Sequence, residues 1–156
     1  MFDRFSPLAR DVMQSARQNA LEFRHDHIGP DHVLLGIVAT DGTATTALHA
    51  LGIAPERVRA AVRADLRPGR HPDTGAVPFS RPGKHVLEHA LEEAQSAGDG
   101  HIATGHLLLG VLRERKSVAA RALARLGLRI DGLRPAVQAA LRASTDVRDG
   151  PPHLAR

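Results

Sequence analysis

Residues 25–38 read HDHIGPDHVLLGIV and residues 99–112 read DGHIATGHLLLGVL. A chain that carries one long segment twice is restricted to folds built by duplication, so the repeat has to be delimited before anything else. A shift of 74 superposes FSPLARDVMQSARQNA on FSRPGKHVLEHALEEA, pairing Phe5/Phe79, Ser6/Ser80, Val12/Val86, Ala16/Ala90 and Ala20/Ala94. The same shift pairs His27/His101, Ile28/Ile102, His32/His106 and Gly36/Gly110. After one inserted residue the shift becomes 75, and TALHALGI at 46–53 meets RALARLGL at 121–128. Each copy covers about 60 residues, too long for a common solenoid unit, so two copies closing one compact domain is the expectation.

Both copies read as helices. Ser6 and Ser80 are candidate N-caps, whose hydroxyls can accept from a free first-turn N–H. Pro7 suits the first helical position, where its missing N–H would be unpaired anyway. Leu8, Val12, Ala16 and Ala20 then recur every fourth residue and predict one buried stripe. A second helix starts at Pro30 and Asp31, with the acid near the positive helix end. A third stops at Gly52, and a fourth over 54–66 is expected to bury Val58, Ala61, Val62 and Leu66. The second copy predicts helices near 81–97, 104–114, 117–126 and 130–143, and no strand is expected. The reading is all-α: two pseudo-symmetric four-helix repeats at 1–66 and 79–143, packed into one eight-helix domain. A Pro- and Gly-rich linker loop occupies 67–78, and 144–156 is expected to be a flexible tail.

Composition narrows the function. There is no cysteine, which removes disulfides and thiolate metal sites. No apolar run approaches the roughly 18 residues of a membrane span, and the charged start MFDRFSPLAR lacks the apolar core of a signal peptide. A cytoplasmic protein without a membrane partner is expected. The net charge of +4 raises nucleic acid as a partner, but the arginines alternate with acids and alanines along helical stretches. With no Trp or Tyr to stack on bases, a solvated helix surface is the favoured reading. His27 and His32 are five apart across a turn, not the i, i+4 pair that puts two imidazoles on one face. Histidines that tie the loop to the helix start are therefore favoured over a metal site. Gly36 and Gly110, inside helices at equivalent positions, predict close helix crossings rather than chemistry.

The stretch Phe5-Ser6…Ile28-Gly29-Pro30-Asp31-His32-Val33-Leu34-Leu35-Gly36 and its echo Phe79-Ser80…Ile102-Ala103-Thr104-Gly105-His106-Leu107-Leu108-Leu109-Gly110 resemble the N-terminal (Clp repeat) domain of Hsp100 unfoldases, especially the ClpC type. The resemblance covers about residues 1–143. It implies an appendage that recruits client proteins or adaptors to an ATP-driven unfolding ring. The chain itself has no G-x-x-x-x-G-K-[ST] loop: around Gly83-Lys84, Pro78 replaces the first glycine and His85 the hydroxyl residue. A non-enzymatic binding module without a cofactor is expected, either an isolated domain of a longer protein or, as the tail suggests, a stand-alone protein.

The resemblance also implies two candidate sites. Phosphoarginine-marked clients are implied to bind through Ser6, Asp31, His32, Ser80 and Thr104, with the carboxylate of Asp31 on the guanidinium and helix-start amides on the phosphate. Asp31 stands where the family has a longer glutamate, and its counterpart is Gly105, so one impaired and one degraded site are expected. The alternative for Asp31 is an acid that only stabilises a helix end. An apolar groove for peptides or cyclic peptide antibiotics is implied at Phe2, Met13, Pro78, Phe79, Lys84 and Leu91. A decoy that sequesters such antibiotics is the second functional reading, and nucleic-acid binding a remote third.

Overall fold

The computed structural model describes residues 2–71 and 76–150. Among the described residues eight helices follow in order: α1 (Pro7–Glu22), α2 (Pro30–Val38), α3 (Thr43–Ala50), α4 (Pro55–Asp65), α5 (Arg81–Ser96), α6 (Thr104–Arg113), α7 (Val118–Arg125) and α8 (Ile130–Ala143). The expected caps form. Ser6 Oγ accepts from Ala9 N–H at 3.0 Å, and Ser80 Oγ accepts from Gly83 N–H at 3.1 Å. Gly52 takes the left-handed φ of +76° that ends α3. The stripe Leu8, Val12, Ala16 and Ala20 is buried, as are Val58 and Val62, whereas Ala61 and Leu66 reach only the edge of the core.

The helices α1 and α2 pair, α5 and α6 pair likewise, and α2 packs against α6 between the repeats. Both pairs depend on a glycine. A Cβ on Gly36 would stand 2.7 Å from the Val12 carbonyl oxygen, and one on Gly110 would stand 2.4 Å from that of Val86. The close crossings expected at these glycines are therefore present.

The two repeats interlock through backbone that the sequence pattern does not mark. Ser6 N–H donates to Ile102 O at 2.9 Å, and Ile102 N–H donates to Arg4 O at 2.7 Å. The equivalent residues repeat the exchange: Ser80 N–H to Ile28 O at 2.9 Å, and Ile28 N–H to Pro78 O at 2.8 Å. These isolated parallel bridges, Phe5 with Ile102 and Ile28 with Phe79, bring the start of each repeat's first helix beside the start of the other repeat's second helix.

Of the segment expected to be a flexible tail beyond 143, residues 144–150 are described. Asp149 is 1% exposed, because its carboxylate fills a polar gap between the repeats. Residues 72–75 of the linker and 151–156 of the tail lie outside the described residues. No described helix is long and apolar enough to cross a membrane.

Candidate functional site

The bridges gather helix starts into two pseudo-equivalent cradles. In the first, Ser80 at the start of α5 faces the turn before α2, and α7 begins alongside. In the second, Ser6 at the start of α1 faces the turn before α6, and α3 begins alongside. Each thus joins the N-termini of three helices, whose free N–H groups and dipoles favour an anion.

Asp31 lies in the first cradle. Its Oδ1 accepts from Ala119 N–H at 2.9 Å, so it caps α7 of the other repeat rather than its own helix. No hydrogen bond to Oδ2 forms among the described residues. Burial holds the Asp31 pKa above its ordinary value despite the bond from Ala119. Burial thus works against the charged form while the bond from Ala119 N–H, at the start of α7, works for it. Pro30, at the first position of α2, contributes no N–H here. Ser80 Oγ donates to Ile28 O at 3.3 Å.

The second cradle is richer in donors. Asp149 Oδ1 accepts from Ser6 Oγ at 2.6 Å and from Thr104 N–H at 2.9 Å. Its Oδ2 accepts from Thr43 N–H and Thr43 Oγ1 at 2.8 Å each, and from Thr104 Oγ1 at 2.6 Å. Gly105 has no room for the missing acid: a Cβ would lie 2.7 Å from Val137 Cγ1 of α8. Ser6 and Thr104 are therefore brought together, while Asp31, His32 and Ser80 belong to the other cradle.

His32 and His106 each bond back to the turn before their own helix. His32 Nδ1 accepts from Gly29 N–H and His106 Nδ1 from Ala103 N–H, each at 2.9 Å. That assignment leaves the proton on Nε2 of each ring. His32 Nε2 donates to His25 Nδ1 at 2.7 Å, and His25 Nε2 donates to Arg67 O at 2.6 Å. His106 Nε2 donates to Asp99 Oδ2 at 2.8 Å instead. Burial, aided by His25, pushes His32 down to about 4. Burial also lowers His106, against the opposing pull of Asp99. Positions 25 and 99 are related by the repeat shift of 74, a signal hidden because the residues differ.

The expected groove forms in part. A cavity of about 440 Å³ is lined by Phe2, Phe5, Leu87, Leu91 and Ile102, with Asp3, Arg4, Lys84 and Glu88 completing it. Of the expected residues, Phe2, Lys84 and Leu91 line it. Met13 does not, because it is buried in the core, and Pro78 does not, because it carries the backbone bridge to Ile28. Phe79 packs edge-on behind Phe2, with ring centroids 6.3 Å apart. Leu87 and Glu88 follow Lys84 by three and four residues and precede Leu91, a helical-face spacing that could have identified them.

Several arginines are engaged in ion pairs. Arg113 and Arg134 share Glu93, at 3.1 and 2.9 Å, and Arg125 pairs with Asp65 at 2.6 Å. Among the described residues no group of three or more His, Cys, Asp or Glu could hold a metal ion.

Comparison with known proteins agrees with this architecture. Residues 4–126 match the family described as the Clp repeat (R) N-terminal domain. The chain is 36% identical over 138 residues to the negative regulator of genetic competence ClpC/MecB of Bacillus subtilis, covering 88% of this chain. It is 35% identical over 147 residues to the chloroplastic chaperone protein ClpC1 of Oryza sativa subsp. japonica, covering 94% of this chain. The chain spans only 16–17% of the length of these curated relatives. The N-terminal domain of ClpD from Arabidopsis thaliana superposes with a TM-score of 0.71 at 26% identity, over 92% of this chain and 97% of that one. The N-domain of ClpV from Vibrio cholerae shares the fold, with a TM-score of 0.77 at 16% identity over 92% and 88% of the two chains.

Proposed function

Because this chain belongs to the Clp repeat (R) N-terminal domain family, we propose that it is a non-enzymatic binding module that captures protein segments, either clients or adaptors of a Clp-type unfoldase. The observation that carries this reading is the groove beside Phe2. It offers a floor of Phe2, Phe5, Leu87, Leu91 and Ile102 and a rim of both charges at Asp3, Arg4, Lys84 and Glu88. An apolar anchor inside a polar rim is the arrangement that peptide-binding surfaces use. The same groove supports the second reading, capture of cyclic peptide antibiotics, whose apolar side chains would compete for the same floor.

The finer reading, recognition of phosphoarginine-marked proteins, is supported by the two cradles. Asp31 Oδ2 is available for a guanidinium in the first, and oxyanion donors converge in the second. The test is calorimetry with an unfolded client peptide, the same peptide phosphorylated on arginine, and a cyclic peptide antibiotic. Phe2→Ala is expected to remove binding of the unmodified peptide and of the antibiotic. Asp31→Ala is expected to remove only the gain from phosphorylation. Peptide binding that survives Phe2→Ala unchanged would refute the groove as the site.

A further inference from the structure

The turns that end α3 and α7 are repeat-equivalent, LGI at 51–53 and LGL at 126–128, and they meet at the surface. Between them lies a cavity of about 310 Å³ walled by Leu51, Ile53, Leu126 and Leu128. Gly52 and Gly127 take left-handed φ values of +76° and +91° there, and a Cβ on either would meet nothing within 4 Å. Leu51 is 39% exposed; among the described residues only it and Val147 are large apolar side chains left so far out. A second cavity, of about 660 Å³, continues from the first, since Gly127, Leu128, Arg129 and Asp131 line both. Its floor is Leu112, Ala120, Ala124 and Ile130.

The rim of this joined surface is basic. Arg57, Arg115, Arg121 and Arg129 stand around it, all exposed, and none makes an ion pair among the described residues. Arg113 also lines it but is held by Glu92 and Glu93 at 3.1 Å each. The lining acid, Asp131, lies 4.0 Å from Arg134. Arg121 is near enough to Asp31 to favour its charged form, so Arg57, Arg115 and Arg129 carry most of the unmatched charge. The fold does not require these charges. The repeat partners of Arg121 and Arg129 are Thr46 and Ala54, and the first copy builds the same helix and turn without them. Like charges gathered around one opening repel, and a negative partner between them relieves that repulsion.

We propose that this surface docks an acidic protein segment, with an apolar side chain seated between the two turns and flanking carboxylates on Arg57, Arg115 and Arg129. Guanidinium groups match carboxylates in geometry as well as charge, and an aliphatic floor takes a side chain. Nucleic acid fits less well. Its bases call for stacking rings, and the ring that lines this surface is the imidazole of His89, held by Glu92 and Glu114 at 3.4 and 3.3 Å. Asp131 on the rim also opposes a phosphate backbone. No residue lines both this surface and the Phe2 groove, so substitutions can separate the two.

The experiment titrates the full chain into a labelled peptide that alternates glutamate with leucine, read by fluorescence anisotropy. Two control peptides replace the leucines by serine or the glutamates by lysine, and a single-stranded oligonucleotide is titrated beside them. The glutamate–leucine peptide should bind saturably and more tightly than the others, and the Gly52 and Gly127 amides should shift in NMR spectra when it does. Arg129→Glu should lower its affinity about fivefold, because an exposed attraction gives way to a repulsion of like size. Leu51→Ser should weaken it at least about threefold while leaving the serine peptide unaffected. Both positions are exposed, and circular dichroism checks that the variants fold. Capture of an unfolded client peptide at the Phe2 groove should survive Arg129→Glu, so this surface and that groove can fail separately. No saturable binding, a serine peptide that binds as well as the leucine peptide, or an affinity untouched by Arg129→Glu would overturn the proposal. An oligonucleotide that outcompetes the peptide would overturn it in favour of nucleic acid.

Discussion

Acid should loosen this fold through His32 of the first repeat, and a substitution at its ring partner His25 supplies the control. His32 is 5% exposed, and its Nδ1 is committed as acceptor to Gly29 N–H. A proton on His32 has to be added at that nitrogen, which would set N–H against N–H at the start of α2. The unfolded chain takes this proton near the ordinary value of 6.5, whereas the folded chain resists it down to about 4. The sign follows: between those values the unfolded state binds more protons, so stability is complete above pH 7 and falls as the pH drops. The linkage is worth about 2 kcal/mol between pH 7 and pH 5, and about 3 kcal/mol by pH 4. His25→Asp would give His32 the carboxylate that Asp99 gives His106, favouring the imidazolium and flattening the loss. Urea unfolding followed by circular dichroism at pH 7, 6 and 5 measures both chains; the absence of Trp and Tyr rules out intrinsic fluorescence as the probe. A wild-type stability that stays flat from pH 7 to 5, or an identical fall in His25→Asp, would refute the reasoning.

Other substitutions separate packing from binding. Gly36→Ala should lower stability by about 1–2 kcal/mol, because the gain in helix propensity is outweighed by a Cβ pressed 2.7 Å from the Val12 carbonyl oxygen. Gly132→Ala in α8, where a Cβ would meet nothing within 4 Å, should raise stability by up to about 1 kcal/mol in the same melting assay. Asp31→Asn keeps an acceptor for Ala119 N–H and removes a charge that burial disfavours. A carboxyl held above its ordinary pKa contributes less as pH rises, so this variant should melt higher than wild type at pH 7 while losing affinity for phosphoarginine. A lower melting temperature would count against the reading of Asp31 as a functional acid. Gly105→Asp should destabilise through Val137, and Val137→Ala should recover part of that loss. Simple additivity in the double-mutant cycle would refute the steric account.

Much of the fold was legible because its determinants are local and occur twice. Ser6 and Ser80, Pro7 and Pro30, and the apolar spacing of α1 each mark an element without reference to distant residues. The groove was half legible, since Phe2, Lys84 and Leu91 could be identified, but which face of α5 completes it depends on how Phe2 folds back. The bridges at Phe5–Ile102 and Ile28–Phe79 were invisible, as a single pair of backbone bonds imposes no alternation on the sequence. Asp149 was hidden for a stronger reason. An acid in a stretch of Asp, Arg, Gly and Pro looks solvated, and only the assembled starts of α1, α3 and α6 turn its position into a buried one.

The two cradles show what duplication preserved. Each places a carboxylate on the first turn of the opposing repeat's third helix: Asp31 on Ala119 in α7, and Asp149 on Thr43 in α3. In the first copy the acid belongs to the second helix and cannot leave. In the second copy Val137 occupies the space a side chain at Gly105 would need, and the acid is supplied from outside the repeat. The second arrangement keeps the electrostatic requirement of three converging helix ends satisfied with an acid from another part of the chain. The internal symmetry thus holds in the helix starts and in the need for a carboxylate between them, and it breaks in which segment of the chain supplies that carboxylate.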